Sequence, residues 1–487
     1  MLRSAGLPTS DLDPITDPEL AHQADRHNNH ETSPEDYEKA FTEAEHRLTR
    51  ATATLAQHPT LRSAIAWQNP RLLPTALDRI DPGNPRNSKT RERERTLSAY
   101  LQRYTHKNDT IGFHGPAAWT RFHPDRPFTS TPGPHLVREY RTYFENWAID
   151  QIATTLAERP DIRPWLTPRP VKANSLHGHT LHRPRRPPLT LTPAQHTLLT
   201  HCDGRTTVTD LLARTPGTRL DDLEQLHALG AIHLDLIGPI EAHPEKTLRD
   251  KLTRIGDPTT REQAIATLDT LDQARERLHH ARTADQILDA TSDLADRFIR
   301  ITGTPATRRH GQTYAGRTLA FQDTIRDIDL TLGAPVLNAM APLPLLLHSA
   351  QWLTARAADH YRDLFDHLFD TETRRRGTTE LKLTYLISRT TSDLTAINGQ
   401  LPPPVARAQK EFQQRWKTIL DPPTDQRHQQ INSDDITREV HHHFPELPLP
   451  WSTAAQHSPD MMIAAADPTA INHQNFHLVL GELHLTR

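Results

Sequence analysis

The sequence predicts a helix-rich α+β fold in several parts, one of them a winged helix-turn-helix unit. The chain has 487 residues, too many for one ordinary core. Over most of its length apolar residues recur at helical spacing behind recognisable caps. Between residues 164 and 191 the pattern changes to Pro-rich extended pieces, followed by three short helical patterns and an alternating stretch. These shifts divide the chain at 1–163, 164–245 and 246–487.

Ser33-Pro34-Glu35-Asp36 supplies a cap, a first-turn proline and an acidic first turn. Tyr37, Phe41, Ala44, Leu48, Ala51 and Leu55 continue it as one helix face. A second helix spans 91–107 with Leu97 and Leu101 as its buried side, and Trp119 and Phe122 open a strand or core segment. In the middle part, His177-Gly178 turns a hairpin between Val171-Lys172 and Thr180-Leu181. Helices follow at 194–201, 206–213 and 219–229, Gly230 stops the third, and 231–236 alternates as a strand. Hairpin, three helices and wing make the winged unit. A capping box at Thr259 and Glu262 then restarts the helical pattern, with Ile265, Leu268, Leu271, Leu278 and Ala281 on one face. Thr283 with Gln286 offers a second box before Leu288, Leu294 and Phe298. Beyond Gly303 strand-like pieces alternate with helices at 342–370 and 374–398, and 476–484 ends as a strand.

Composition narrows the class. Hydrophobic content is 35%, mean hydropathy −0.68 and net charge −3, with 40 Pro against 18 Gly, so cores are lean and connections stiff. No window holds the roughly 18 apolar residues of a membrane helix, and residues 1–20 lack a signal peptide's build. The expected location is the cytoplasm. A single cysteine, Cys202, excludes an intramolecular disulfide and a thiolate metal cage; its setting at a helix end predicts a buried structural thiol. There are 31 histidines but no His-Glu-x-x-His, and the runs His279-His280 and His441-His442-His443 put neighbours on different faces. No metal site is expected.

From Arg86 to Lys107 seven basic residues stand against two acidic ones, and the run enters the Gly/Pro-punctuated turn Asn108-Asp109-Thr110-Ile111-Gly112-Phe113-His114-Gly115-Pro116. A phosphorylated ligand suits that arrangement, and a solvated helix face gives the same charge run. In the winged unit, residues 219–229 carry three acids, which repel DNA phosphate. An exposed hairpin edge could instead add an extended peptide as another strand, and a purely structural wing reads the same way. Arg317 and Arg326 flank Phe321-Gln322-Asp323-Thr324-Ile325, either to bind carboxylate or phosphate, or with Arg326 paired to Asp323 or Asp327 on a surface. Glu482 and His484 alternate onto one strand face, as proton-transfer groups or as ordinary polar residues.

The basic run with its turn, the Leu198-Leu199…Cys202-Asp203-Gly204-Arg205-Thr206…Leu211-Leu212 pattern, the 314–327 segment, His457-Ser458-Pro459-Asp460 and the 479–484 strand together resemble the lantibiotic dehydratase family, in family order. The Asn-Asp-Thr-Ile-Gly-Phe form is similar to an actinobacterial subgroup, and Leu198 to Leu212 to a leader-peptide recognition element. The resemblance implies a multi-part dehydratase-like transfer domain that moves an aminoacyl group, usually glutamyl, from tRNA to Ser or Thr of a precursor peptide. Aminoacyl-tRNA is then a co-substrate and no cofactor is expected. It further implies that Arg103 and Lys107 meet the tRNA end, Thr110 and Gly112 shape the pocket, and Arg317 and Arg326 hold the aminoacyl carboxylate or phosphate. Val171, Lys172, Thr180 and Leu181 would read the leader. Gln322-Asp323-Thr324 stands where Glu-Asp-Cys is expected, Lys107 where an Arg is usual and His114 where an aromatic is usual. The chain also reads as short of the rest of the transfer domain and of an elimination domain. If active it is an aminoacyl-tRNA-dependent peptide aminoacyltransferase, completed or followed by a separate chain. The alternatives are a non-catalytic leader-binding scaffold, an inactive remnant, or a transcription regulator.

Overall fold

The computed structural model describes residues 1–83, 86–108, 112, 115–308, 318–396, 399–421, 423 and 428–485. It divides into two units: residues 1–118 with 132–328, and residues 119–131 with 329–487. Helices dominate both, with short mixed sheets, as the α+β pattern requires. No described helix is long and apolar enough to cross a membrane.

In the first unit one continuous core runs from Leu7 to Ala320. The helix Pro34–Ala56 begins as read, with Ser33 Oγ accepting the Asp36 N–H at 3.1 Å. Its apolar face is narrower than the spacing suggested, because Phe41 is 45% exposed while Ala44, Thr49, Thr52, Leu55 and Ala56 are buried. The basic helix is Ser88–His106, capped by Asn87, with Leu97 and Leu101 buried. Helices Pro258–His280 and Ala284–Thr302 pack as an antiparallel pair. The box at Thr283 and Gln286 is present. The expected box at Thr259 is not: Asp257 caps the Thr260 N–H at 2.8 Å, because Pro258 takes the first helical position.

The middle segment corrects the hairpin. Its strands are Ser175–His177 and Thr180–Arg183, turning at Gly178 (φ +56°), with Arg186–Thr190 as a third strand. Val171 and Lys172 precede it; the Val171 N–H donates to Ala231 O at 3.0 Å, extending the pairing of Arg169–Pro170 with Ile232–His233. That last strand is two residues long, not six. The three helices are Pro193–His201, Val208–Arg214 and Leu220–Ala228. Cys202 closes the first, buried, and burial pushes its thiol up to about 12.

The strand Ala320–Leu332 organises the sheet. Within the first unit Ala117 pairs parallel to Ile325, and Leu2–Arg3 pairs antiparallel to Ala117–Ala118. The strand Thr129–Phe144 also pairs with it, and a carboxylate joins the two: Asp327 accepts from His135 N–H at 3.2 Å and from Arg138 Nε at 2.9 Å. The Arg138 guanidinium holds the Asp327 carboxyl below the usual range. Gly133 allows this approach, because a Cβ there would lie 2.2 Å from the carboxylate.

In the second unit Leu330–Leu332 pairs parallel with Thr120–Phe122. Trp119 and Phe122 are 75% and 58% exposed, so they start a strand but not a core. Two helices are present as read, but the first, Leu343–Arg376, ends six residues later than read, at Gly377 with φ +65°. The next helix is only Leu383–Leu394. Phe444 is buried among Trp352, Phe412 and Trp416, and residues 457–465 and 476–485 form an antiparallel hairpin.

Two outcomes follow from this packing. Gly133→Ala should lower stability by about 1–3 kcal/mol in denaturant titration, the cost of overpacking a pinned site. Cys202 should resist iodoacetamide at neutral pH in the folded chain and react once denaturant exposes it.

Candidate functional site

Not all of the basic run is available to a ligand. Arg86 is paired to Glu45 and, at 2.8 Å, to the buried Glu94, so one of its seven cations and one of its two acids form an internal cross-link. Arg93 donates to Arg79 O at 3.3 Å. Lys89, Arg91 and Arg95 are exposed, Arg103 is half-buried, and Lys107, the C-cap, is exposed with its N–H on Arg103 O at 3.0 Å. Arg103 and Lys107 therefore sit one turn apart at the helix end that feeds the glycine turn.

Of that turn, Gly112 and Gly115 are described; Thr110 lies outside the described residues, as do Asp109, Ile111, Phe113 and His114. Gly112 adopts φ +53°, and a Cβ there would stand 3.4 Å from Gln322 O. Thr324 Oγ1 donates to Gly112 O at 2.6 Å. Gly112 is thus tied to the strand that carries Arg326. Arg317 lies outside the described residues. Arg326 pairs with neither Asp323 nor Asp327 among the described contacts; Asp327 is held by Arg138, and Arg326 NH1 donates to Ala5 O at 3.3 Å. Burial lowers the Arg326 pKa. Adjacent residues of a strand face opposite ways, which is why 326 and 327 separate.

Beyond this strand lies a polar cavity of about 480 Å³, walled by Arg141, Thr142, Tyr143, His243, Arg275 and His279 among others. It connects to the turn through side chains: Gln322 Nε2 donates to Thr142 Oγ1 at 3.0 Å, and Tyr143 stacks on Phe321 with centroids 5.3 Å apart. Burial raises the Asp323 carboxyl, with Arg141 opposing, and burial lowers the His279 imidazole pKa. None of the cavity residues was singled out by sequence for this role, because they come from three distant segments. The one local signal is His243-Pro244-Glu245, a helix start with an acidic first turn.

The other named residues lie elsewhere. Thr180 and Leu181 sit in the central strand of the three-stranded sheet, with Leu181 buried and both neighbours already paired. The unpaired edges are Ser175–His177 and Arg186–Thr190, and Pro187 and Pro188 remove donors from the second. Glu482 and His484 are in the second unit, exposed, where His484 Nε2 meets Asp460 Oδ2 at 3.1 Å and Glu482 Oε2 at 3.7 Å. Among the described residues Glu276, His279 and His280 converge, one donor atom of each within 4.8 Å of the others, and could hold a metal ion. The acid, four positions before the second histidine, supplies the convergence that a histidine run alone lacks.

No curated protein matches the chain in sequence. Among solved structures, the glutamylation domain of TbtB from thiomuracin biosynthesis is similar at TM-score 0.64 and 12% identity, over 99% of this chain and 69% of that one. The same domain bound to 5′-phosphodesmethylglutamycin aligns at 0.59 and 14%, over 91% and 55%. MibB, a tRNA-dependent lantibiotic dehydratase from Microbispora sp. 107891, aligns at 0.51 and 12%, over 88% and 42%. These identities show a shared fold. The sequence model described as "Lantibiotic dehydratase, N terminus" matches residues 57–376, the span that holds the basic helix, the pinned turn and the polar cavity, and the chain belongs to that family.

Proposed function

We propose that the chain transfers an aminoacyl group, glutamyl in the family's usual reaction, from tRNA to Ser or Thr of a precursor peptide in ribosomal-peptide biosynthesis. The observation that carries this reading is the Thr324 to Gly112 hydrogen bond, which ties a glycine that follows the basic helix to a strand beside a polar cavity. An aminoacyl-tRNA ester is already activated, so the chain's task is to hold two partners and move one proton. Arg103 and Lys107 neutralise phosphates of the acceptor end, Thr110 and Gly112 shape the turn, and Arg317 and Arg326 serve the aminoacyl carboxylate or phosphate. The transfer step needs no cofactor or metal. The leader of the precursor adds as a strand at Ser175–His177, the edge that keeps its donors. The site of action is the cytoplasm, where charged tRNA is found.

Filter binding of glutamyl-tRNA across salt tests the reading. Affinity should fall steeply between about 50 and 200 mM salt, and Lys107→Ala should flatten the log–log slope by about 1. A chain that binds precursor leader but no charged tRNA would be the non-catalytic scaffold instead. Thr324→Val leaves the Gly112 carbonyl without its donor and should weaken tRNA binding about fivefold, the equivalent of ~1 kcal/mol. Thr324→Ser should restore it, and equal affinity in the valine variant would remove the turn from the site.

A further inference from the structure

The polar cavity contains a histidine held by a buried carboxylate. His243 precedes the helix Pro244–Leu252 as its N-cap residue, yet its side chain makes no capping bond. Its Nδ1 instead donates to Glu245 Oε1 at 3.0 Å; a carboxylate acceptor assigns the proton to Nδ1 and leaves Nε2 with a lone pair. The imidazole is 44% exposed and lines the cavity, whereas the Glu245 side chain is 8% exposed.

Glu245 is costly to bury and only half satisfied. Its second oxygen, Oε2, is enclosed without a hydrogen-bond partner among the described residues. An incomplete buried carboxylate costs about 1–3 kcal/mol, so it is a poor structural device. Its position in the first turn is favourable all the same, because the amide end of a helix attracts negative charge. The segment that delivers His243 is fixed from the other side: Asn146 Nδ2 donates to Glu241 O at 3.0 Å and Asn146 Oδ1 accepts the Glu241 N–H at 3.1 Å. The Tyr143 ring stands 5.2 Å from the imidazole. Through Tyr143 and Thr142 the histidine belongs to the sheet that pins Gly112.

We infer that His243 is the general base of the transfer and Glu245 its positioning residue, an assignment that rests on the aminoacyl-transfer reading. Nε2 takes the proton of the attacking peptide hydroxyl as that oxygen bonds to the ester carbonyl carbon. The tetrahedral intermediate then breaks the bond between carbonyl carbon and ribose oxygen. The imidazolium returns its proton to the ribose oxygen. The products are the aminoacylated peptide and tRNA with a free terminal hydroxyl. Glu245 keeps the Nδ1–H tautomer and offsets the positive charge on the ring while the proton is held.

The test uses the full chain, tRNA charged with radiolabelled glutamate, and a serine-containing model peptide. Loss of label from tRNA is followed alongside filter binding. His243→Ala should cut the chain-dependent rate constant about 100-fold or more with tRNA affinity unchanged, and added imidazole should restore part of it. Glu245→Gln should lower the same rate constant with little change in peptide KM. Absence of charged-tRNA binding by the wild type would overturn the transfer reading and this assignment together. Binding without any chain-dependent label loss, or a His243→Ala variant that transfers at the wild-type rate, would overturn the assignment alone. A variant that loses rate without rescue by imidazole would reduce His243 to a structural part of the wall.

Discussion

A buried polar group left unpaired is costly, and the strand Ala320–Leu332 carries three buried polar side chains where apolar residues would be expected. Gln322, Thr324 and Asp327 are each 8% exposed or less. Each therefore specifies a contact: Gln322 to Thr142, Thr324 to the Gly112 carbonyl, Asp327 to His135 and Arg138. A well-packed apolar strand would be as stable or more so, since a satisfied hydrogen bond nets only about 1 kcal/mol. What the polar row adds is register. A slip of one residue would turn all three donors and acceptors to the wrong face, leaving several groups unpaired at once. The glycine turn and the cavity wall are consequently held to the same strand at fixed positions.

The N-terminal residues serve the same end. Leu2 and Arg3 pair with Ala118 and Ala117, Ser4 Oγ donates to Pro116 O at 3.2 Å, and the Leu7 N–H donates to Tyr104 O at 3.0 Å. These contacts lie on both flanks of the turn, at Tyr104 near the end of the basic helix and at Pro116 beyond the glycines. A loop that meets a charged ligand gains most if its ends are ordered in advance, because the ordering entropy is then spent on folding and not on binding. Arg326, donating to Ala5 O, joins the strap to the central strand. The burial that lowers its pKa still leaves a guanidinium charged, so the cation remains close to the turn.

Local chemistry was legible in the sequence and long-range chemistry was not. Ser33, Thr283 and the Cys202 helix end are read from a few neighbouring residues, and the structure has them as read. The hairpin was misplaced because Val171 and Ser175 look equally strand-like in isolation; the Asn174 side chain on Gly230 O at 2.8 Å, which separates them, comes from 56 residues away. A count of charges cannot show that Arg86 is spent internally, on Glu94 of its own segment and on Glu45 of another helix. The cavity was invisible for the same reason, being assembled from residues 139–143, 243 and 275–279. Glu245 could have been noticed as an acid after a helix-starting proline, but its burial is a tertiary fact.

On the proposed transfer reading, the first unit divides its labour as the chemistry of an already activated ester requires. Such a substrate needs little electrophilic assistance, so large binding energy belongs on the phosphates, at a surface that water can reach and salt can screen. Proton handling has the opposite requirement. A general-base imidazole must present Nε2 unprotonated to the hydroxyl, which calls for a carboxylate withdrawn from solvent on Nδ1. The fold separates the two. The half-buried Arg103 and the exposed Lys107 stand at the end of the helix Ser88–His106, while the histidine and its carboxylate occupy the start of the helix Pro244–Leu252, where the helix dipole favours the negative partner. The strand with the buried polar side chains bonds both to Gly112 and, through Gln322 and Thr142, to the cavity wall. On that reading, any change that loosens the strand should harm binding and proton transfer together, whereas changes at either helix end act on one alone.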